Sequence, residues 1–151
     1  MHRATTWHGL FWSVALVCVA GCDDGQRLKI VPVKGKLLIG GKPAARANVV
    51  LHSTDPHVVV RPVTFTEADG SFRLMTYKAD DGAPVGDYVV TIFWRDESIP
   101  FDGCVGLDLV KHDRFLGAYF DSRDSPLRTT IHPGSNEIVI QADDVSQNAD
   151  K

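Results

Sequence analysis

From residue 28 onward, short apolar runs alternate with turn residues along the chain. Within each run the apolar side chains recur at every second position, which is the pattern of a strand with one buried face. Gly, Pro, Asn and Asp separate the runs at the short intervals typical of an all-β sandwich. No long helix is predicted in this region. Apart from the hairpin described below, the predicted strands cover residues 30–39, 47–52, 86–94, 126–132 and 136–141.

The alternation also predicts which side chains share a face. Residues 86–94 are apolar on both faces, as expected for a strand in the middle of a sheet or beneath a covering loop. Val58-Val59-Val60 could form a short edge strand that ends before Pro62. The side chains predicted to lie on one face of their strands are Val31, Val33, Leu37, Ile39, Ala47, Val49, Leu51, Tyr88, Val90, Ile92, Trp94, Leu127, Thr129, Ile131, Ile138 and Ile140.

Residues 64–77 carry the strongest hairpin signal in the chain. Two runs rich in β-branched and aromatic residues flank the sequence Glu-Ala-Asp-Gly. Its Asp69-Gly70 dipeptide supplies the positive φ angles that a tight turn needs. We therefore predict a central hairpin that points Phe65, Phe72 and Leu74 inward.

Residues 95–125 form a long connection without a clear strand pattern. Connections of this length inside a compact domain are uncommon and are often functional. This one contains Cys104, the one His-Asp pair of the sequence and a cluster of aromatic residues. We take it as the candidate contact surface, formed by His112, Asp113, Phe115, Tyr119 and Phe120.

The first residues have the features of an export signal. Residues 10–20 are apolar apart from Ser13, and this run is shorter than the roughly 20 residues needed to cross a bilayer. Val19-Ala20-Gly21-Cys22 resembles the bacterial lipobox, whose cysteine receives a diacylglyceryl group before cleavage in front of it. We therefore expect a signal peptide over residues 1–21, a lipidated Cys22, a tether over residues 22–28, a sandwich domain over residues 29–142 and a polar tail over residues 143–151.

This assignment locates the domain and limits its cysteine chemistry. Lipid on Cys22 would anchor the domain to a bacterial membrane, facing the periplasm or the exterior. Cys18 would leave with the signal, so Cys104 would have no intramolecular partner. Cys104 is then a buried inert thiol, part of an intermolecular disulfide, or a reactive thiol.

Composition and charge narrow the possible functions. The chain has 16 basic and 19 acidic residues, and no basic stripe is present to neutralise the phosphates of a nucleic acid. The hydrophobic fraction of 44% and the charged fraction of 23% are those of a globular domain. We expect a monomeric domain that binds no nucleic acid.

Motifs for metal binding or catalysis are missing from the sequence. The histidines that follow the signal include no pair at i, i+4 spacing and no cysteine set beside them. Asp80-Asp81-Gly82 lacks the alternating acidic ligands of a calcium loop. The sequence has no Gly-x-Ser-x-Gly elbow, and His112-Asp113 has no assignable nucleophile. We predict no metal, no cofactor and no catalytic residue.

Several segments, taken in order, point to one family. Val33-Lys34-Gly35-Lys36, Gly41-Lys42-Pro43, residues 66–72 and residues 86–92 together resemble the carboxypeptidase regulatory-like domain, a seven-stranded, transthyretin-like and immunoglobulin-like β-sandwich. Residues 113–119, 124–127 and 134–137 are similar to a subgroup of small bacterial lipoproteins built on that domain.

The resemblance implies a fold and a cellular location but little about chemical activity. In carboxypeptidases this domain is an accessory to a separate zinc-bearing catalytic domain, of which the present sequence has no part. Hydroxyisourate hydrolase, an enzyme of transthyretin-like fold, ends in Tyr-Arg-Gly-Ser, unlike this chain. Some related sandwiches form a Lys–Asn isopeptide bond. Lys34 or Lys36 with Asn136 would be the candidates here, but the turn position of Asn136 predicts a solvent-facing side chain.

We therefore expect a lipid-anchored, non-catalytic binding or structural module of the bacterial cell envelope. Its exposed edge strands could take up a segment of an envelope protein, or it could bind a glycan. The alternative is a small periplasmic hydrolase or ligand-processing enzyme with its site in residues 95–125. Convergence of His112, Asp113 and Cys104 on one pocket would favour the enzyme.

Overall fold

We describe the protein from a computed structural model, which covers residues 27–100, 103 and 106–145. This part of the chain is all-β, with one short 3₁₀-helix, Gly106–His112. It contains no helix of the length and hydrophobicity that crossing a membrane requires. The strands are β1 (Ile30–Val31), β2 (Val33–Ile39), β3 (Lys42–Pro43), β4 (Asn48–Ser53), β5 (Val63–Phe65), β6 (Ser71–Arg73), β7 (Ala83–Pro84), β8 (Gly86–Phe93), β9 (Arg128–Ile131) and β10 (Asn136–Ala142).

The strands form a β-sandwich, as predicted. One sheet has the order β10-β2-β3, with β6 also paired to β2, and the other has the order β5-β4-β8-β9. A further two-stranded sheet joins β1 to β7. Within the described residues, seven strands have three residues or more, and all of these belong to the two four-stranded sheets. The pair β2–β10 is parallel, whereas the other pairs are antiparallel.

The predicted inward side chains form the core between the two sheets. Twelve of these sixteen side chains are buried in the core. Three more, Trp94, Leu127 and Ile138, are partly buried and pack against it, and Thr129 is half-buried. Strand β8 lies between β4 and β9, which confirms its predicted central place in a sheet. Residues 58–60 form no strand, so the optional edge strand is absent. The long first strand is divided into β1 and β2 at Pro32.

The predicted hairpin over residues 64–77 is only partly present. Its turn at Asp69-Gly70 forms, with Gly70 at a φ of 77°, and Phe72 and Leu74 are buried as predicted. However, β5 pairs with β4 and β6 pairs with β2, so the two arms belong to different sheets. Phe65, predicted to face inward, is instead 66% exposed.

The buried side chain of Thr66 explains why Phe65 faces outward. The Thr66 hydroxyl donates to the carbonyl of Ala44 at 2.6 Å and accepts from the backbone N–H of Ala47 at 2.9 Å. Thr64, two residues earlier, is buried on the same side. Because successive side chains of a strand point to opposite faces, Phe65 between these threonines lies on the outer face.

The connection over residues 95–125 returns along the edge of β8. Strand β9 pairs with the first half of β8 only, from Gly86 to Val89. Beyond it, the backbone N–H of Ile92 donates to the carbonyl of Tyr119 at 2.9 Å, and the N–H of Arg114 donates to the carbonyl of Trp94 at 2.8 Å. The connection therefore covers the edge of β8 that β9 leaves open.

Candidate functional site

The residues predicted to form a contact surface are mostly part of the core. His112 and Asp113 are each 1% exposed, and Phe115 and Tyr119 are also buried. Phe120 alone of the five is half-buried. The physical reason is the path of the connection along β8, which turns these side chains toward the sandwich. This placement corrects the prediction for four of the five, since a buried side chain offers no surface to a partner.

Asp113 uses its carboxylate to hold the backbone of this connection. Oδ1 accepts from the N–H of Trp94 at 2.9 Å, and Oδ2 accepts from the N–H of Gly117 at 3.0 Å. Burial raises the pKa of Asp113 above its ordinary value, although the N–H groups of Trp94, Gly117 and Phe115 act in the opposite direction. The carboxylate thus satisfies buried main-chain donors, which is a structural role.

The aromatic cluster is likewise structural. The rings of Phe115 and Tyr119 meet edge to face at 5.2 Å, and the ring of Phe115 lies 5.8 Å from that of Trp94. The Tyr119 hydroxyl donates to the carbonyl of Asp143 at 3.2 Å, which ties the connection to the end of β10. Phe120 packs edge to face on Phe93 at 6.1 Å, on the outer face of the second sheet. These contacts stabilise the connection against both sheets.

Of the three residues whose convergence would favour an enzyme, the structure describes His112 and Asp113. His112 and Asp113 line neither of the two recesses described below. Cys104, the third residue of that test, lies outside the described residues, as does Cys22. Within the described ranges, no group of three or more His, Cys, Asp or Glu side chains could hold a metal ion.

A cleft opens where β5 and β6 separate, and we call it the β5/β6 cleft. At one end, Val63 and Met75 exchange two backbone hydrogen bonds of 2.9 and 3.0 Å; at the other, the N–H of Glu67 donates to the carbonyl of Ser71 at 2.8 Å. The hairpin register places Phe65 opposite Arg73 between these two points. No ladder hydrogen bond joins Phe65 to Arg73, because each belongs to a strand that pairs in a different sheet.

The β5/β6 cleft has a volume of about 610 Å³ and extends over the outer face of β2 toward β10. Three of its lining side chains are large, apolar and exposed: Phe65, Met75 at 43% and Val139 at 59%. Basic and acidic side chains are mixed around them, and Lys34 forms an exposed ion pair with Glu137 at 3.0 Å. The cleft therefore combines apolar contact area with charges of both signs.

A second recess of about 540 Å³ lies at one end of the sandwich. Trp94 lines this recess, and its indole N–H donates to the carbonyl of Ala45 at 2.9 Å. The Arg114 guanidinium stacks over the Trp94 ring, 4.3 Å from its centroid. Arg46 at its rim has a positive φ of 59° and pairs with Glu97 at 3.0 Å. Three arginines and two glutamates line this recess, and the Arg46–Glu97 pair neutralises part of their charge.

The chain enters the domain on the side of the β5/β6 cleft. The N–H of Leu28 donates to the hydroxyl of Tyr77 at 3.2 Å, and the Arg27 guanidinium lies 5.5 Å from the same ring. Tyr77 follows Met75 of the cleft by two residues. The second recess lies beyond the other end of β2, near the turn that joins β3 to β4. The cleft is therefore the recess nearer to the expected tether.

Sequence reasoning missed the cleft because it assigned Phe65 to the core. The available signal was Thr64 and Thr66, two β-branched polar residues on the opposite face of the same run. The Thr66 hydroxyl is held inward by hydrogen bonds to Ala44 and Ala47, which lie distant in sequence.

Comparisons with known proteins add little to this description. The sequence matches no family model and no protein among the curated proteins. A crystal structure of a DUF3823 family protein from Parabacteroides merdae ATCC 43184 aligns with a TM-score of 0.40 at 12% sequence identity. The alignment covers 76% of this chain and 46% of that one, so this chain spans about half the length of that protein.

Proposed function

We propose that this protein is a non-catalytic binding module of the bacterial cell envelope, anchored by lipid on Cys22, that holds a protein partner in the β5/β6 cleft. The observation that carries the proposal is the exposure of Phe65, Met75 and Val139 around one concave surface. Exposed apolar side chains gathered in this way are typical of interaction sites. The resemblance to carboxypeptidase regulatory-like domains supports a non-catalytic role.

The chemistry of the cleft favours a protein partner over a glycan. Aromatic, methionine and arginine side chains are enriched at protein interfaces, and the cleft brings Phe65, Met75 and Arg73 together. The ion pair of Lys34 with Glu137 at its margin balances the charge. A protein segment with apolar side chains and scattered charges fits such a surface better than a hydroxyl-rich glycan does.

The expected anchor limits where this partner resides. A tether from Cys22 to Leu28 spans at most roughly 20 Å. The cleft lies on the side where the chain enters the domain. The partner is therefore a membrane protein or a protein held close to the same membrane.

Site-specific photo-crosslinking tests the cleft. A photoreactive amino acid replaces Phe65 in the full-length protein, which is irradiated in its own membranes. The control places the same amino acid at Val59, which is 83% exposed and does not line the cleft. We expect a defined crosslinked partner from position 65 and not from position 59. No adduct at position 65, or the same adducts at both positions, would exclude the cleft as the binding site.

Intact mass measurement tests the anchor independently. The protein purified from its own membranes is compared with the Cys22→Ala variant. We expect a wild-type mass that corresponds to a chain starting at Cys22 with a diacylglyceryl group, and no such mass for the variant. An unlipidated wild-type chain would remove the anchor from the proposal.

A further inference from the structure

Strand β10 ends its sheet with a long open edge. The order β10-β2-β3 places β2 on one side of β10, and no strand of the described chain lies on the other side. The seven residues of β10 pair with β2 in one continuous register, without a bulge or a proline. Exposed edges of this kind are usually shortened, bulged, charged or covered, because they pair readily with other chains.

Alternate residues of β10 direct their main-chain groups to this edge. The N–H of Asn136 donates to the carbonyl of Pro32 at 3.0 Å, and the carbonyl of Ala142 accepts from the N–H of Gly40 at 2.9 Å. In a parallel ladder every second residue bonds to the neighbouring strand, and the residues between them face away. The N–H and C=O groups at the open edge belong to Glu137, Val139 and Gln141.

The other sheet margins are less available than this one. The exposed side of β5 is linked to the segment after β6 by the two hydrogen bonds between Val63 and Met75. Strand β9, at the end of the second sheet, has only four residues and begins with the charged Arg128. Strand β10 is longer, with seven residues, and it also contains a single charged residue, Glu137. Among the described strands, β10 is thus the edge best suited to strand addition.

We propose that two copies of this chain form a dimer in which their β10 strands pair edge to edge. The two strands run antiparallel, and the twofold axis passes through Val139. In this arrangement Val139 lies opposite Val139 of the second copy, and Glu137 lies opposite Gln141 of the second copy. Every open-edge N–H and C=O of the three residues then has a partner. The sheet that contains β10 in one copy and the same sheet in the second copy become one continuous sheet. The protein is then a dimer and not the monomer expected from the sequence.

Charge and the number of paired edge residues together favour this register. An axis at Glu137 would place two carboxylates directly opposite each other, which is destabilising. An axis at Gln141 would leave Glu137 beyond the end of the partner strand. The axis at Val139 uses all three edge residues, places Glu137 beside a neutral amide and leaves its ion pair with Lys34 intact. It also joins two valine side chains that are each 59% exposed in the single chain.

The pairing does not depend on the proposed partner of the β5/β6 cleft. The cleft is tested at Phe65, whereas the dimer is tested at the far margin of the sheet. Val139 lines both surfaces, so its variants are assessed by self-association and not by capture of the cleft partner. The two tests can therefore contradict one proposal without contradicting the other.

Disulfide crosslinking tests the register in the full-length protein with Cys104→Ser as background. Directly opposite residues that exchange hydrogen bonds in an antiparallel pair have Cα atoms about 5.5 Å apart, within the range that a disulfide spans. We expect Val139→Cys to form a covalent dimer on mild oxidation in native membranes. Glu137→Cys mixed with Gln141→Cys should crosslink, whereas Glu137→Cys alone should not. The background protein and Val59→Cys serve as controls.

Charge substitution tests the same pairing without a covalent bond. Val139→Lys places two ammonium groups opposite each other, and we expect dimerisation in detergent to weaken more than tenfold. Gln141→Lys adds the same side chain but places it opposite Glu137, so the dimer should persist. A monomeric wild type, or crosslinking at Val139→Cys no greater than at Val59→Cys, would overturn the proposal.

Discussion

The backbone N–H of Trp94 donates a hydrogen bond to Oδ1 of Asp113 at 2.9 Å, and this contact fixes the connection over residues 95–125 to the end of β8. The other carboxylate oxygen accepts from the N–H of Gly117, so both oxygens accept hydrogen bonds from the main chain. The contact also positions Arg114, the next residue, over the Trp94 ring. Asp113, the acidic member of the only His-Asp pair of the sequence, therefore holds the main chain of this connection in place.

Replacing Asp113 by Ala should lower the free energy of unfolding by about 3 kcal/mol, because it leaves buried N–H groups without an acceptor. Asp113→Asn should cost less, since the amide oxygen still accepts one of these bonds. Urea denaturation monitored by tryptophan fluorescence measures both. Asp124→Ala, at an exposed position of the same connection, is the control and should change stability by less than about 0.5 kcal/mol. Equal effects of Asp113→Ala and the control would contradict this role.

Alkaline pH should destabilise the protein through Tyr88. Its hydroxyl donates to the carbonyl of Pro84 at 2.8 Å, and burial raises the pKa of Tyr88 to about 12. In the unfolded chain tyrosine ionises near pH 10, at about its reference pKa. Between these values the folded state holds the proton that the unfolded state has lost, so the free energy of unfolding falls as pH rises from about 10 to about 12.

Denaturation curves of wild type and Tyr88→Phe across this pH range provide the measurement. The variant lacks the titrating hydroxyl, so its stability should fall less steeply, starting from a value lowered by the lost hydrogen bond. Parallel pH profiles for the two proteins would show that Tyr88 does not carry the effect.

Gly35→Ala should destabilise the first sheet. A Cβ at this position would lie 2.5 Å from Cζ of Phe72 and 2.6 Å from the carbonyl oxygen of Ile138. Both contacts are too short, so the ring and β10 would have to shift, at a cost of about 1–3 kcal/mol. Thermal unfolding measures the loss. Lys36→Ala, on the outer face of the same strand, is the control, and a Gly35→Ala protein as stable as this control would contradict the packing.

Asn136→Ala should weaken the turn between β9 and β10 by about 2 kcal/mol. The amide oxygen accepts from the N–H of His132 at 2.9 Å, and the amide nitrogen donates to the carbonyls of His132 and Gly134 at 2.8 and 3.1 Å. Asn136 is therefore buried, whereas the sequence predicted a solvent-facing side chain.

Chemical denaturation of Asn136→Ala and Asn136→Asp measures this turn. The aspartate variant keeps an acceptor for His132 but loses both donors, so it should also be destabilised. Ser135→Ala, at the exposed neighbouring position, should have little effect. A stable Asn136→Asp protein would show that the two donated hydrogen bonds contribute little.

The sequence alone determined the local structure of this protein. Alternation of apolar and polar residues predicted the strands and most of the core, because a side-chain period of two places one face of a strand against the other sheet. Leu37, Val49 and Val90 are fully buried as that pattern requires. Gly and Asp-Gly pairs predicted the turns, since positive φ angles are a local property of the chain.

Only the tertiary structure decided how these strands combine. The parallel pairing of β10 with β2, the separation of β5 from β6 and the burial of Asp113 each depend on hydrogen bonds between residues far apart in sequence. Alternation along a strand does not specify its neighbours, so the same pattern fits several topologies. The β5/β6 cleft and the open edge of β10 follow from that choice of neighbours, and the sequence pattern by itself therefore pointed to the wrong surface.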